Sequence, residues 1–174
     1  MNKIDYNVFL LGTVFSFILS YVVNSKKKAI CILDDTHSNG VTGTITLTAM
    51  EDQTIAQCNI MGLTPGLHGM HVHNKADFSK GCASTCSHYN PEDTTHGGPL
   101  GPNRHKGDFG NIYADEFGHC ITTIVADVKL SEIVGRAFII HADPDDLGQG
   151  GNEESLKTGN AGARIACGKI TWDP

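Results

Sequence analysis

His71 and His73 stand two apart in Gly69-Met70-His71-Val72-His73. In an extended segment both imidazoles leave one face of the strand, while Met70 and Val72 leave the other. Two imidazoles on one face are half of a metal site, although alone such a pair is more often only hydrogen-bonded. The stretch that follows adds His88, His96, His105 and Asp108, on a loop folded by Pro91 and Gly97-Gly98-Pro99. Three imidazoles and one carboxylate make a closed four-ligand set of the kind that suits a structural zinc. His141 then ends the apolar run Ala137-Phe138-Ile139-Ile140. With nine His in the chain, more imidazoles converge than one ion can hold.

The elements that must position these groups are strands. From Ala29 onward the hydrophobic period is two, clearest in Thr44-Ile45-Thr46-Leu47-Thr48-Ala49, where hydroxyl and apolar residues alternate. Lys28 to Leu33, Thr54 to Met61, Leu67 to His73, Asp108 to Ala114, Cys120 to Val128, Arg136 to His141 and Arg164 to Trp172 also read as strands, which predicts an eight-stranded all-β domain. Met50-Glu51-Asp52-Gln53 and Asp115-Glu116-Phe117-Gly118 are hairpin turns. Two connections, Asn74 to Lys106 and Ala142 to Ala163, are too long for turns and rich in Gly, Pro, Asn and Asp. Such loops on a compact sandwich are usually functional.

The 174 residues are 40% hydrophobic and 18% charged, enough for one core and too apolar for disorder. A formal charge of -6 excludes the basic excess that nucleic-acid phosphates demand. Val8 to Val23 is a sixteen-residue uncharged apolar run followed by Lys26, Lys27 and Lys28. As a helix it would span roughly 24 Å, short of a hydrocarbon core. It reads evenly as a cleaved signal peptide or as an uncleaved anchor that touches a membrane through residues 8–23. The chain therefore divides into a leader, 1–28, and a domain, 29–174. The leader points to the secretory pathway or a membrane, with a cytoplasmic location as the alternative. Without the four lysines and one aspartate of the leader, 9 basic residues face 18 acidic ones, a net of -9. Six Cys in a chain this long suit one bridge plus free thiols better than a disulfide scaffold.

Gly66-Leu-His-Gly-Met-His-Val-His73, His88-Tyr-Asn-Pro91, His96-Gly-Gly-Pro99, Arg104-His105-Lys106-Gly107-Asp108-Phe109-Gly110-Asn111 and the glycine-rich run Gly150 to Gly168 resemble copper/zinc superoxide dismutase over about residues 29–172. The resemblance implies an eight-stranded antiparallel Greek-key β-barrel or sandwich with two long functional loops. It implies one copper per subunit on His71, His73, His88 and His141, and one zinc on His88, His96, His105 and Asp108, with His88 shared by both. Asp145 would link His71 to His96, and Cys82 would pair with Cys167. Arg164 and His88 would act on superoxide, with Lys157 and Thr158 guiding it at the loop rim. A homodimer is implied through a face near Val134, Gly135 and Trp172.

Some residues depart from the family pattern or match nothing in it. Asp143 stands where many members carry lysine, which predicts weak steering of an anion by a domain of net -9. Lys169 stands in the dimer face where an apolar residue is usual. Cys31, Cys58 and Cys120 have no assigned partner, and Cys86 lies close enough to Cys82 to compete for it. His68 is expected to be structural, and His37 and His119 to face solvent. The connection from Asp127 to Gly135 is short for the family. The other classes weighed are a redox-inactive copper/zinc carrier, which should lack a ligand or the arginine, and a purely structural sandwich, which would not keep seven matching ligand positions.

Overall fold

The computed structural model of the chain describes residues 27–34, 36, 37 and 40–174; the leader, with its signal-or-anchor reading, lies outside the described residues apart from its last two. Among the described residues nine strands form in chain order: β1 (Lys28–Leu33), β2 (Thr42–Met50), β3 (Gln53–Met61), β4 (Gly66–His73), β5 (Ser79–Cys82), β6 (Asp108–Ala114), β7 (Cys120–Ala126), β8 (Ala137–His141) and β9 (Arg164–Trp172). Eight of them make one sheet in the order β6-β4-β8-β9-β1-β2-β3-β7. Every pairing between them is antiparallel. β1 to β3 run as a meander, the chain crosses to β4 between β6 and β8, and it returns to β3 through β7, which is a Greek-key path. The β6–β7 turn brings the two ends of the sheet together, so the barrel is nearly closed.

Alternation decides which side chains fill the barrel. Ile45 and Leu47 of β2, Ala56 and Ile60 of β3, Met70 and Val72 of β4, and Phe138 and Ile140 of β8 share one buried cluster. Phe109 of β6 meets Phe138 edge to face at 5.0 Å. Burying each large apolar side chain contributes about 1.5–3 kcal/mol. The same alternation turns His71 and His73 to the outer side of the wall. β8 is buried on both faces, because Ala137 and Ile139 pack outward under Cys82 and Cys167.

The differences from the sequence reading lie at ends and in loops. β7 stops at Ala126, since Val128 turns into the core and its carbonyl accepts a 2.7 Å bond from the buried Thr54 hydroxyl. β8 starts at Ala137 and leaves Arg136 outside the strand. β5 lies inside the first long loop; its sequence Ser-Lys-Gly-Cys carries no apolar alternation to announce a strand. The short connection after β7 holds a one-turn helix, α1 (Leu130–Ile133), which buries Leu130 and Ile133. The second long loop holds another, α2 (Ser155–Thr158), ended by the left-handed Gly159.

Candidate metal centre

β4 carries His71 and His73, and the ladder ends in an isolated bridge from His73 to His88 on the first long loop. His141 arrives from the end of β8. The ligand atoms of His71, His73, His88 and His141 all lie within 4.8 Å of one another, and all four residues are buried. His88 lies between this group and a second one: its ring centroid is 4.0 Å from that of His71 and 5.3 Å from that of His105.

The second group surrounds Asp108, the first residue of β6. Its Oδ1 lies 2.9 Å from His88 Nδ1 and 3.2 Å from His105 Nδ1, and its Oδ2 lies 3.0 Å from His96 Nδ1. The Nδ1 atoms of His88 and His105 are 3.3 Å apart. Four donors at zinc-bond length around a tetrahedron stand about 3.3 Å from one another. His71 also falls within 4.8 Å of His88, His96 and Asp108. One of its nitrogens, however, is engaged by Asp145 and the other serves the first group, so the short contacts favour His105 as the fourth member.

The hydrogen bonds decide which nitrogens are free. His71 Nε2 donates to Asp145 Oδ2 at 2.9 Å and His96 Nε2 to Asp145 Oδ1 at 2.7 Å. His73 Nδ1 donates to the Cys86 carbonyl at 2.8 Å, and His141 Nδ1 to the Gly162 carbonyl at 3.1 Å. Carbonyls and carboxylates only accept, so each of these nitrogens carries a ring proton, which leaves the other nitrogen of His71, His73 and His141 bare. Those bare atoms, His71 Nδ1, His73 Nε2 and His141 Nε2, are buried and without hydrogen-bond partners among the described residues, whereas His96 Nδ1 faces Asp108 Oδ2 at 3.0 Å. Three buried, partnerless lone pairs within one cluster are a costly arrangement unless a cation meets them. The donor set therefore fits bound metal: imidazoles alone on one side, which suit copper, and imidazoles with one carboxylate on the other, which suit zinc.

Protonation follows the same division. Burial first, then the neighbouring His88, lowers His71 to about 3. Burial likewise holds His141 down to about 4 and pushes His73 and His88 below the usual imidazole range. Burial works against charge on His96 too, but the carboxylates of Asp108 and Asp145 outweigh it and raise the group to about 9. Both carboxylates stay ionised: burial opposes this, and the histidines around them reverse it.

A family model for copper/zinc superoxide dismutase (SODC) matches residues 41–170. The chain belongs to the copper/zinc superoxide dismutase family.

As in the sequence reading of this superoxide dismutase fold, Cys82 is bridged to Cys167, with 5.6 Å between Cα atoms. Cys86 is exposed and free, and Cys31, Cys58 and Cys120 are buried thiols. Burial pushes Cys31 and Cys58 up to about 12, which leaves them inert. Arg164 opens β9 beside the bridge. Its Nη1 donates to the Cys82 carbonyl at 3.0 Å and to Thr85 Oγ1 at 3.1 Å, and its Nη2 to the Cys86 carbonyl at 2.7 Å. The guanidinium is thereby fixed in a cleft of about 520 Å³ that His73, His88, His141, Lys157 and Thr158 also line. Lys157 is answered by Glu153 at 3.4 Å, and Thr158 Oγ1 by Glu154 at 2.8 Å. Asp143 is exposed two residues beyond His141, its carboxylate against Gly162 on the cleft rim.

Of the remaining histidines, His68 is structural, bonded through its ring to the carbonyls of His141 and Thr64 at 2.8 Å each. His119 faces solvent. His37 does not simply do so: it is half-buried, its ring stacks on Phe78 at 5.0 Å, and its carbonyl lies 3.0 Å from Cys82 Sγ. Sequence reasoning missed the residues that hold Asp145. The Asn111 side chain exchanges two 2.8 Å bonds with the Asp145 backbone, and the Leu147 amide donates to Oδ1 at 2.7 Å. Gly159 lets the end of α2 lie against Asp145 and His96, where any Cβ would collide with both. Asn111 belongs to a quoted motif and Gly159 to the glycine-rich run, but only the fold says what each does.

Proposed function

We propose that the protein dismutates superoxide to oxygen and hydrogen peroxide, with a cycling copper and a structural zinc. His71, His73, His88 and His141 would hold the copper, and His88, His96, His105 and Asp108 would hold the zinc, one ion of each per chain. Copper supplies the one-electron chemistry by alternating between its cupric and cuprous forms, while zinc stays redox-silent. Two superoxide anions and two protons give one oxygen and one hydrogen peroxide. Arg164 attracts the anion and orients it over the cleft floor, its guanidinium held by the carbonyls of the disulfide loop. His88, whose Nδ1 lies 2.9 Å from Asp108 Oδ1, would turn its Nε2 to the cleft, where it could hold and release one of the two protons that the reaction consumes. Lys157 and Thr158 line the approach, with the charge of Lys157 partly answered by Glu153.

The observation that carries this reading is the pair of convergent donor sets on either side of one histidine, with bare buried nitrogens in the first of them. Metal analysis by mass spectrometry beside a dismutation assay tests it. The expected result is one copper and one zinc per chain, and loss of copper and activity in His141→Ala. Activity in copper-free protein, or full activity in His141→Ala, overturns it. The chain is further proposed to form a homodimer through the face near Val134, Gly135 and Trp172, where Trp172 is exposed, which sedimentation tests. The leader carries the chain into the secretory pathway or anchors it to a membrane, and intact mass with membrane fractionation separates the two.

A further inference from the structure

His73 and His88 come from different segments, a barrel strand and a long loop, yet the reading above needs both on one ion. The backbone at the join is a short three-way weave. The Asn74 amide donates to the Ser87 carbonyl at 2.9 Å, the Tyr89 amide to Val72 at 2.8 Å, and Gly107 lies across both, its amide on the Tyr89 carbonyl. Asn74 Nδ2 also donates to the His88 carbonyl at 3.0 Å. Asn74 and Tyr89 are the residues that directly follow the two histidines.

One side chain grips both of them. Arg136 lies with its guanidinium carbon 3.7 Å from the Tyr89 ring centroid, and its Nη1 donates to the Asn74 carbonyl at 2.8 Å. Its own position is fixed by Nε on the Glu132 carbonyl and by its backbone carbonyl, which accepts from Ile170 of β9, both at 2.9 Å. A planar guanidinium can cover a ring face and donate in its plane at the same time, whereas an ammonium offers a point charge with no face to stack. The hydrogen bonds of the Arg136 side chain go to Glu132 and Asn74, and none goes to a candidate metal ligand.

We infer that Arg136 is a positioning residue: by clamping Asn74 to Tyr89 it sets the angle between His73 and His88, and through it the geometry of the copper. The inference deepens the proposed function and rests on it. The test compares Arg136→Lys, Tyr89→Ala and Tyr89→Phe in the full chain. In metal-free protein, amide exchange at Asn74 and Tyr89 is expected to quicken by about tenfold in Arg136→Lys and Tyr89→Ala, while amides inside β2 and β3 keep their rates. After copper loading, the cupric electron paramagnetic resonance spectrum changes in the same two variants. Tyr89→Phe, which keeps the ring face, retains both the wild-type exchange and the wild-type spectrum. Unchanged exchange and spectrum in Arg136→Lys and Tyr89→Ala, with only a lower melting temperature, overturn the inference. If Arg136→Lys fails to fold, the two Tyr89 variants carry the same comparison. A wild-type chain that takes up no copper defeats the function reading instead, and the metal-free exchange rates still decide on the clamp.

Discussion

Asp145 shows how one residue can govern two ligand sets. It accepts one ring N–H from His71 and one from His96. Asp145→Asn replaces one acceptor with a donor, so one imidazole must turn its bare nitrogen toward Asn and move its proton to the ligand position. Metal affinity is expected to fall about 10- to 100-fold, as measured by competition with a chromophoric chelator. Unchanged affinity would sink the role given to this link. Asp143 acts differently, through charge at a distance. It places one of the domain's 18 acidic groups at the rim of the cleft that the proposed function opens to an anion. Asp143→Lys is therefore expected to raise the second-order rate at low ionic strength and steepen its fall with salt in stopped-flow measurements. Equal rates at every salt concentration would show that the carboxylate is not felt in the cleft.

At the scale of elements, the barrel wall offers a rigid row and the two loops bring the rest to it. Gly159 is where α2 is allowed close to Asp145, at φ +67°. Gly159→Ala should destabilise the fold by about 1–3 kcal/mol from backbone strain and contact together, and should weaken metal retention as well, read by melting temperature and metal content. The disulfide ties β5 to β9 across a sequence separation of 85. Replacing both Cys82 and Cys167 with Ser is expected to remove about 2–5 kcal/mol and to lower activity beyond the effect on stability, because Arg164 is held by the carbonyl of Cys82 itself. A variant that is destabilised but fully active per folded molecule would separate the bridge from the arginine. These elements differ in how far the chain itself announces them. The strands were legible because burial on one face forces a period of two, and His71 and His73 could be placed together by that rule alone. The ligand loop was legible as a cluster of imidazoles with a zinc-like set of four donors, while the copper on the other histidines and the sharing of His88 came only with the family resemblance. β5 was not legible, since four polar or small residues form a strand there only through long-range support. Arg136 read as the start of β8, because no local pattern reveals that a guanidinium will reach back to Asn74 and Tyr89.

Across the whole molecule, the buried titratable groups make the metal-free fold sensitive to acid. His71 at about 3 and His141 at about 4 lie below the ordinary 6.5, so between those values the unfolded chain binds more protons than the folded one. Stability therefore falls as pH drops from about 6.5 toward 4. His96 works in the opposite sense: raised to about 9, its contribution is complete below 6.5 and is lost as pH rises through 9. The depressed carboxylates of Asp108 and Asp145 add stability above the ordinary carboxylate range and lose it only in stronger acid. Urea midpoints of the metal-free protein should peak near neutrality, and a flat profile from pH 7 to 4.5 would contradict this assignment. The carboxylate bridge from His71 to His96 has one more consequence when both ions bind as proposed. An ion that orders His96 also orders Asp145 and, through it, His71, so part of the ordering entropy for the second ion is already spent. Linkage makes such an advantage mutual: whatever factor zinc adds to the affinity for copper, copper must return to zinc. The two halves of the centre would then fill as a cooperative pair, and half-loaded molecules would be scarcer than chance allows.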